Sequence, residues 1–281
     1  MRLGIPDAIA RKRSPGRADS PLKGKMVFSF GARRSGTWWL QRVITAHPAV
    51  AAVPSESFFF SHAIAPLFEC FQDIDRDAPS TGRIYAERGL LLDAARDFCD
   101  RIFAQFADRG TQRIGERTPW HVEHLELMNA LYPDAYYIHI VRDGRDSARS
   151  LTSMDWFSGS LEDAAAEWRR SVIAARDAER PARYLEVRYE ELASDPGRLI
   201  PMLYDFIELD ASETVLEAAL AEAQVELNTD LKTTVGTEKW RTLMSAEDQA
   251  VVLRVAGDAL VAYGYASEAE RVVAIRSAPV S

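Results

Sequence analysis

Lys25-Met-Val-Phe-Ser-Phe30-Gly31-Ala-Arg33-Arg34-Ser35-Gly36-Thr37-Trp38-Trp39-Leu40 carries three local signals in succession. Lys25 to Phe30 is a short apolar run ended by a glycine, which predicts a buried strand. Beyond Gly36 the period becomes helical: Trp39, Leu40, Val43 and Ile44 share a face until His47-Pro48 ends it. Gly31 and Gly36 between them have the G-x-x-x-x-G spacing of a phosphate-cradling loop. Such a loop turns successive backbone N–H groups toward one point at the positive end of a helix, where an anion sits well. Two departures matter. Thr37 stands where a nucleotidase loop has lysine, and Trp38 where it has the hydroxyl that holds Mg²⁺. A cation survives inside the loop as Arg34.

Outward from this unit, Ala135–Val141 reads as a second central strand, Arg142–Asp146 as a turn, and Tyr184–Tyr189 as a third strand. Helical patterns cover Tyr85–Arg109, His121–Leu131 (begun by Thr118-Pro119), the residues from Ser147 on, Leu161–Arg180, Glu191–Leu209 across the Asp195-Pro196 break, Ser212–Glu226 and Ser245–Gly257. Residues 50–62 are mixed. Strands alternating with long helices predict an α/β fold, three-layered and P-loop-like, with a central mostly parallel sheet flanked by helices. Ligands of such sheets sit beyond the carboxyl ends of the strands, so the loops after Phe30, Val141 and Tyr189 are the places to look.

The 281 residues, 47% of them hydrophobic, suffice for a single domain over residues 25–281. Residues 1–24 read as a disordered basic extension: seven basic and two acidic residues precede Met26. The chain as a whole carries a net charge of −8, which argues against general nucleic-acid binding. No long apolar run suggests a transmembrane segment, and no apolar leader follows the N-terminus. Cys70 and Cys99 form no metal or redox motif, so a reducing, cytoplasmic setting is expected.

Arg34-Ser-Gly-Thr-Trp-Trp39 resembles the 5′-phosphosulfate loop of sulfotransferases that use 3′-phosphoadenosine 5′-phosphosulfate (PAPS). The resemblance extends in order along residues 25–245, and its bacterial-type members are the nearest in pattern. It implies that Arg33, Arg34, Ser35, Gly36, Thr37 and Trp38 surround the 5′ end of PAPS. Arg142 and, eight residues on, Ser150 would hold the 3′-phosphate. An arginine leaving a strand end suits that task, because its planar fork matches a phosphate. Tyr189 would lie near the adenine, and Lys239, Trp240 and Arg241 are similar to a segment that folds over the nucleotide.

For the chemistry, the resemblance implies catalytic roles for Arg34, Glu56 and Arg117: the first at the leaving phosphate, the second as base, the third as an electrostatic stabiliser near the transferring group. Phe58–Phe60 could desolvate Glu56. His62 and His121 are alternative bases, and no metal is expected, His121-x-x-His124 lacking a third ligand. Two other readings stand beside this one. A P-loop kinase could use Asp143 as its metal ligand, and a PAP-binding protein could bind without turnover. The acceptor is expected to be a small molecule, a carbohydrate or a lipid. A homodimer would be typical of the family.

Overall fold

A computed structural model describes residues 20–78, 88–225 and 236–276. Within them β1 (Met26–Phe30), β2 (Val50–Ala52), β3 (Arg113–Arg117), β4 (Tyr136–Val141) and β5 (Tyr184–Arg188) form one parallel sheet in the order β2-β3-β1-β4-β5. β1 is central, between β3 and β4, and every residue of β1 and β4 is buried. A strand covered on both faces needs no polar alternation, which is why these two read as unbroken apolar runs.

Side chains still alternate. Met26, Phe28 and Phe30 face a cluster that includes Phe60, Phe103, Leu125 and Tyr137, whereas Val27, Ile138 and Ile140 face one with Trp39, Leu40 and Leu203. Phe28 is fully buried, edge-on to Phe60 and Tyr132, and such burial stabilises by about 1.5–3 kcal/mol. The helices are α1 (Thr37–Thr45), α2 (Ala65–Asp77), α3 (Arg88–Phe103), α4 (Leu125–Leu131), α5 (Gly144–Thr152), α6 (Leu161–Asp177), α7 (Tyr189–Ser194), α8 (Pro196–Phe206), α9 (Glu213–Val225), α10 (Trp240–Leu243), α11 (Ala246–Ala262) and α12 (Glu268–Arg276). α1, α8 and α9 cover one face of the sheet and α3 and α4 the other. A third cluster joins α5, α6, α10 and α11 beyond the end of β4. Serine capping boxes, Ser160 with Asp163 and Ser245 with Asp248, start the two long helices of that corner.

β1, β4 and β5 lie where the sequence predicts strands, but β2 and β3 are additional. β3 is Arg-Ile-Gly-Glu-Arg, too polar to show a strand pattern; backbone pairing to a neighbour on each side makes it one. The predicted helix at His121–Leu131 divides into a 3₁₀ turn, Pro119–His124, and α4. α5 begins at Gly144, not Ser147, because the Asp143 side chain caps it through the Arg145 N–H. Tyr189 opens α7 rather than closing β5. The helix predicted from Tyr85 is described from Arg88 to Phe103, with a 3₁₀ turn after it, and its first residues lie outside the described ones. Of the predicted extension, residues 1–19 lie outside the described residues; Leu22 is in the core and the Ser20 hydroxyl donates to Asp100, so the packed chain starts ahead of Lys25. Among the described residues no helix is long and apolar enough to cross a membrane.

Candidate functional site

The loop from β1 to α1 crosses the carboxyl edge of the sheet. A Cβ at Gly31 would lie 2.3 Å from the Ile140 carbonyl oxygen, so only glycine lets the loop pass β4 so closely. Gly36, at φ 95°, occupies the N-cap of α1, and a Cβ there would also strike the Tyr189 ring. No side chain caps α1 and its first turn holds no acid. The N–H groups of that turn therefore have no side-chain cap, at the positive end of the helix, where an anion is favoured. Ser35 is wholly buried with an unpartnered hydroxyl, and Thr37 is buried beside it. Trp38 turns outward, 4.7 Å from the Arg42 guanidinium.

Arg34 has φ 68°, a left-handed conformation that costs a side-chain-bearing residue about 1–2 kcal/mol. The conformation directs its carbonyl to Arg142 Nη1 at 3.2 Å, while its Nε donates to Ser150 Oγ at 3.1 Å. Ser150 lies nearly two turns into α5, on the face that meets the loop. Arg142 is held on three sides. It donates to the Gly236 carbonyl, stands 3.8 Å from Asp146, and lies 4.2 Å over the Tyr189 ring, leaving Nε buried without a partner. The structure thus brings Arg34, Ser35, Gly36, Thr37, Arg142 and Ser150 together.

Tyr189 is buried beneath this assembly, with Trp39 edge-on to it. It is a plate under the loop and Arg142 and not an exposed surface for a base. In the C-terminal segment the side chains diverge. Trp240 is buried, its backbone N–H donating to Asp146 Oδ1 at 2.8 Å and its ring stacked under Arg145 at 3.5 Å. Arg241 reaches outward to Glu238 at 2.8 Å. Lys239 is the cation that turns inward: partial burial, then the neighbouring Arg142, hold its pKa below the ordinary lysine value. A lysine depressed by an arginine beside it marks positive potential that an anion would offset.

At the ends of β2 and β3, Arg117 Nη1 donates to Glu56 Oε1 at 2.6 Å. Phe59 and Phe60 do not give Glu56 the expected aromatic shielding: its side chain is 29% exposed, while Phe60 is in the core and Phe59 packs on Phe98 and Phe103. Directly behind the pair, Glu116 is fully buried. Its Oε1 accepts from Ser57 Oγ and Thr118 Oγ1, both at 2.7 Å, and its Oε2 faces His121 Nδ1 at 3.1 Å. Burial alone would raise the Glu116 pKa, but the His121 charge and the hydrogen bonds from His121, Thr118 and Ser57 outweigh it and lower it. His121 is thereby committed to Glu116. His62 is exposed, stacked on Trp120, and burial followed by the charges of His121 and His62 lowers the His124 pKa to about 4.

Arg33 reaches a different helix from Arg34. It forms a two-pronged ion pair with Glu167 of α6, and its guanidinium lies 4.9 Å from the Trp120 ring, 5.2 Å from Trp156 and 5.4 Å from Phe157. Asp143, the metal ligand of the kinase reading, has both oxygens engaged by Arg145. Among the described residues no three metal-ligating side chains converge. Sequence reasoning gave no role to Glu116, Asp146 or Glu167. Glu116 sits inside Gly-Glu-Arg-Thr-Pro, whereas nothing local marks the other two.

The sulfotransferase family profile matches residues 27–213 of the chain. A protein-tyrosine sulfotransferase 1 of Danio rerio is 23% identical over 205 residues, covering 70% of this chain and 56% of its own length. An uncharacterized protein of Aquifex aeolicus is 24% identical over 86% of this chain, which spans 33% of that protein. Among solved structures, the sulfotransferase domain of the Synechococcus PCC 7002 olefin synthase superposes with a TM-score of 0.55 at 21% identity, covering 89% of this chain and 99% of that domain.

Proposed function

The chain belongs to the sulfotransferase family, and on that premise we propose that it moves a sulfuryl group from PAPS to an acceptor hydroxyl or amine. The observation that carries the donor assignment is the pair of buried, unpartnered polar atoms, Ser35 Oγ and Arg142 Nε, beside an uncapped helix N-terminus. Buried polar atoms without partners are costly in a folded chain, and these suit the two phosphate ends of one nucleotide. PAPS, when bound, supplies an activated sulfuryl group on a phosphosulfate whose leaving group is adenosine 3′,5′-bisphosphate (PAP).

The residues then divide the work. N–H groups of the first turn of α1, with Ser35 and Thr37, hold the 5′-phosphate. Arg34, fixed by Ser150, offsets charge on the leaving oxygen. Arg142 and Lys239 read the 3′-phosphate, with Arg142 kept in place by the Arg34 and Gly236 carbonyls. Glu56 takes the acceptor proton: Arg117 holds its Oε1, which leaves Oε2 for that proton. Arg117 positions the base.

Calorimetric binding of PAP, 5′-AMP and ATP, each with Mg²⁺ and with EDTA, tests the donor. Micromolar PAP binding that ignores EDTA, with 5′-AMP much weaker, is the expected result. Preference for Mg–ATP would overturn the proposal in favour of a kinase. PAP binding with no turnover on any acceptor would indicate a nucleotide sensor.

A further inference from the structure

The sulfuryl acceptor must approach the Glu56–Arg117 pair, and the structure shows what borders that approach. Phe58 is two residues beyond Glu56, and Trp120 is three beyond Arg117. Their rings meet at 5.4 Å, and His62 joins them, 5.2 Å from Phe58 and stacked on Trp120 at 5.8 Å. Across Trp120 stands Arg33, and beyond it Trp156 and Phe157. Phe58, His62, Trp120, Arg33, Trp156 and Phe157 therefore form one belt, which starts two residues along the chain from Glu56 and takes in Arg33 of the donor loop.

Two features of the belt bear on its ligand. It is incompletely covered: Phe58, Trp120 and Phe157 are half-buried, His62 is exposed, and Trp156 is 59% exposed. A solitary exposed ring is ordinary, but a continuous run of them is a binding surface. Its rings are also interrupted by two ion pairs, Arg33 with Glu167 and Arg117 with Glu56, whose side chains are 11–29% exposed. Among the described residues, the indole N–H groups of Trp120 and Trp156 find no acceptor.

An alkyl chain or a phenol laid on this belt would cover the charged groups and indole donors while offering them at most one hydroxyl. Covering polar groups without new hydrogen bonds is costly. A sugar ring answers both demands. Its C–H faces stack on aromatic rings, and its equatorial hydroxyls reach the guanidinium, carboxylate and indole groups between them.

Resting on the sulfotransferase reading above, we infer that this belt is the acceptor subsite, and that it takes a glycoside, one hydroxyl of which is directed to Glu56. Arg33 serves this side of the site and not the nucleotide. In the transfer the acceptor O–H proton passes to Glu56, an O–S bond forms, and the S–O bond to the 5′-phosphate of PAPS breaks with its electron pair, releasing PAP.

The test uses the full chain in two arms. Calorimetry with PAP alone reads the donor site; absence of PAP binding would remove the sulfotransferase reading itself, whatever the acceptor. Where PAP binds, ³⁵S transfer from PAPS is measured to methyl glycosides and short oligosaccharides, to tyrosine amide and phenol, and to octanol. The expected result is transfer to at least one glycoside in preference to the phenols and the alkanol. Trp156→Ala, at an exposed position, should raise the KM for that glycoside about ten-fold, the loss of one stacked ring. PAP affinity should stay within about two-fold, since stacking on Trp156 makes no nucleotide contact. Preference for a phenol or octanol, no transfer to any glycoside despite PAP binding, or an unchanged KM in Trp156→Ala would each overturn the inference.

Discussion

Replacing Glu116 with alanine removes a buried carboxylate that ties two segments of the site together. Ser57 N and Oγ, Thr118 Oγ1 and His121 Nδ1 all meet it, at 3.3, 2.7, 2.7 and 3.1 Å. Hydrogen bonds to a charged acceptor contribute about 1.5–3 kcal/mol each, but members of one network do not add. Leaving the donors dry should cost about 3–5 kcal/mol, the usual effect of breaking a buried charged network. At about 2–4 °C per kcal/mol for a chain of this size, the midpoint falls by roughly 6–20 °C. Glu116→Gln keeps an oxygen for Ser57 and Thr118, so a loss of about 1–2 kcal/mol is expected there. The pH dependence has a definite sign. Because the folded pKa is lowered, the stabilisation is present above the ordinary carboxylate value of about 4.3 and is lost as pH falls through the lower folded value. Thermal unfolding of the wild type and both variants, followed by circular dichroism from about pH 2 to about pH 8, reads all of this. Since Ser57 adjoins Glu56 and Thr118 adjoins Arg117, turnover should fall with the stability of Glu116→Ala and largely persist in Glu116→Gln. An alanine variant that melts within about 2 °C of wild type would refute the assignment of this network as the support of the catalytic pair.

Arg34→Ala should abolish transfer, and Glu56→Gln should lower kcat by about two to four powers of ten; near-normal turnover of a good acceptor by the glutamine variant would remove Glu56 as base. Arg142→Ala should weaken PAP about 10–100-fold and 5′-AMP much less, and equal losses by calorimetry would mean that Arg142 does not read the 3′-phosphate. Lys239, its pKa held below the ordinary 10.5 by partial burial and by Arg142, binds phosphate only while protonated. PAP affinity should therefore decline as pH rises toward that lowered value, and Lys239→Arg should flatten the decline; a decline of the same shape in the variant would assign it to another group.

The central β1–loop–α1 unit and the strands β4 and β5 were legible because local rules decide them. A glycine-bounded loop between an apolar run and a helical period needs no partner to be recognised, and Arg142 announces itself by following a buried strand directly. The spacing from Arg142 to Ser150 is local for the same reason, since one short stretch of strand end and helix carries both. β3 was hidden because its residues are charged or small, and only pairing with β1 and β2 makes a strand of them. The surroundings of Tyr189 are not visible in the sequence, because its neighbours Gly36, Trp39 and Arg142 come from three other segments.

What the amino-acid order determines by itself is thus the anion cradle, the missing metal hydroxyl, and the cations near them, all set by backbone geometry within a few residues. Which way each cation points was decided only by the tertiary structure. Arg33 and Arg34 are neighbours in sequence, yet the left-handed turn at Arg34 sends one side chain to Ser150 and the other to Glu167. Lys239 and Arg241 are separated by one residue, but Asp146 anchors the backbone between them and leaves Lys239 inside and Arg241 on Glu238. Each outcome depends on a carboxylate or hydroxyl roughly a hundred residues away in the chain, and a partner at that separation is brought near only when the sheet and its helices pack.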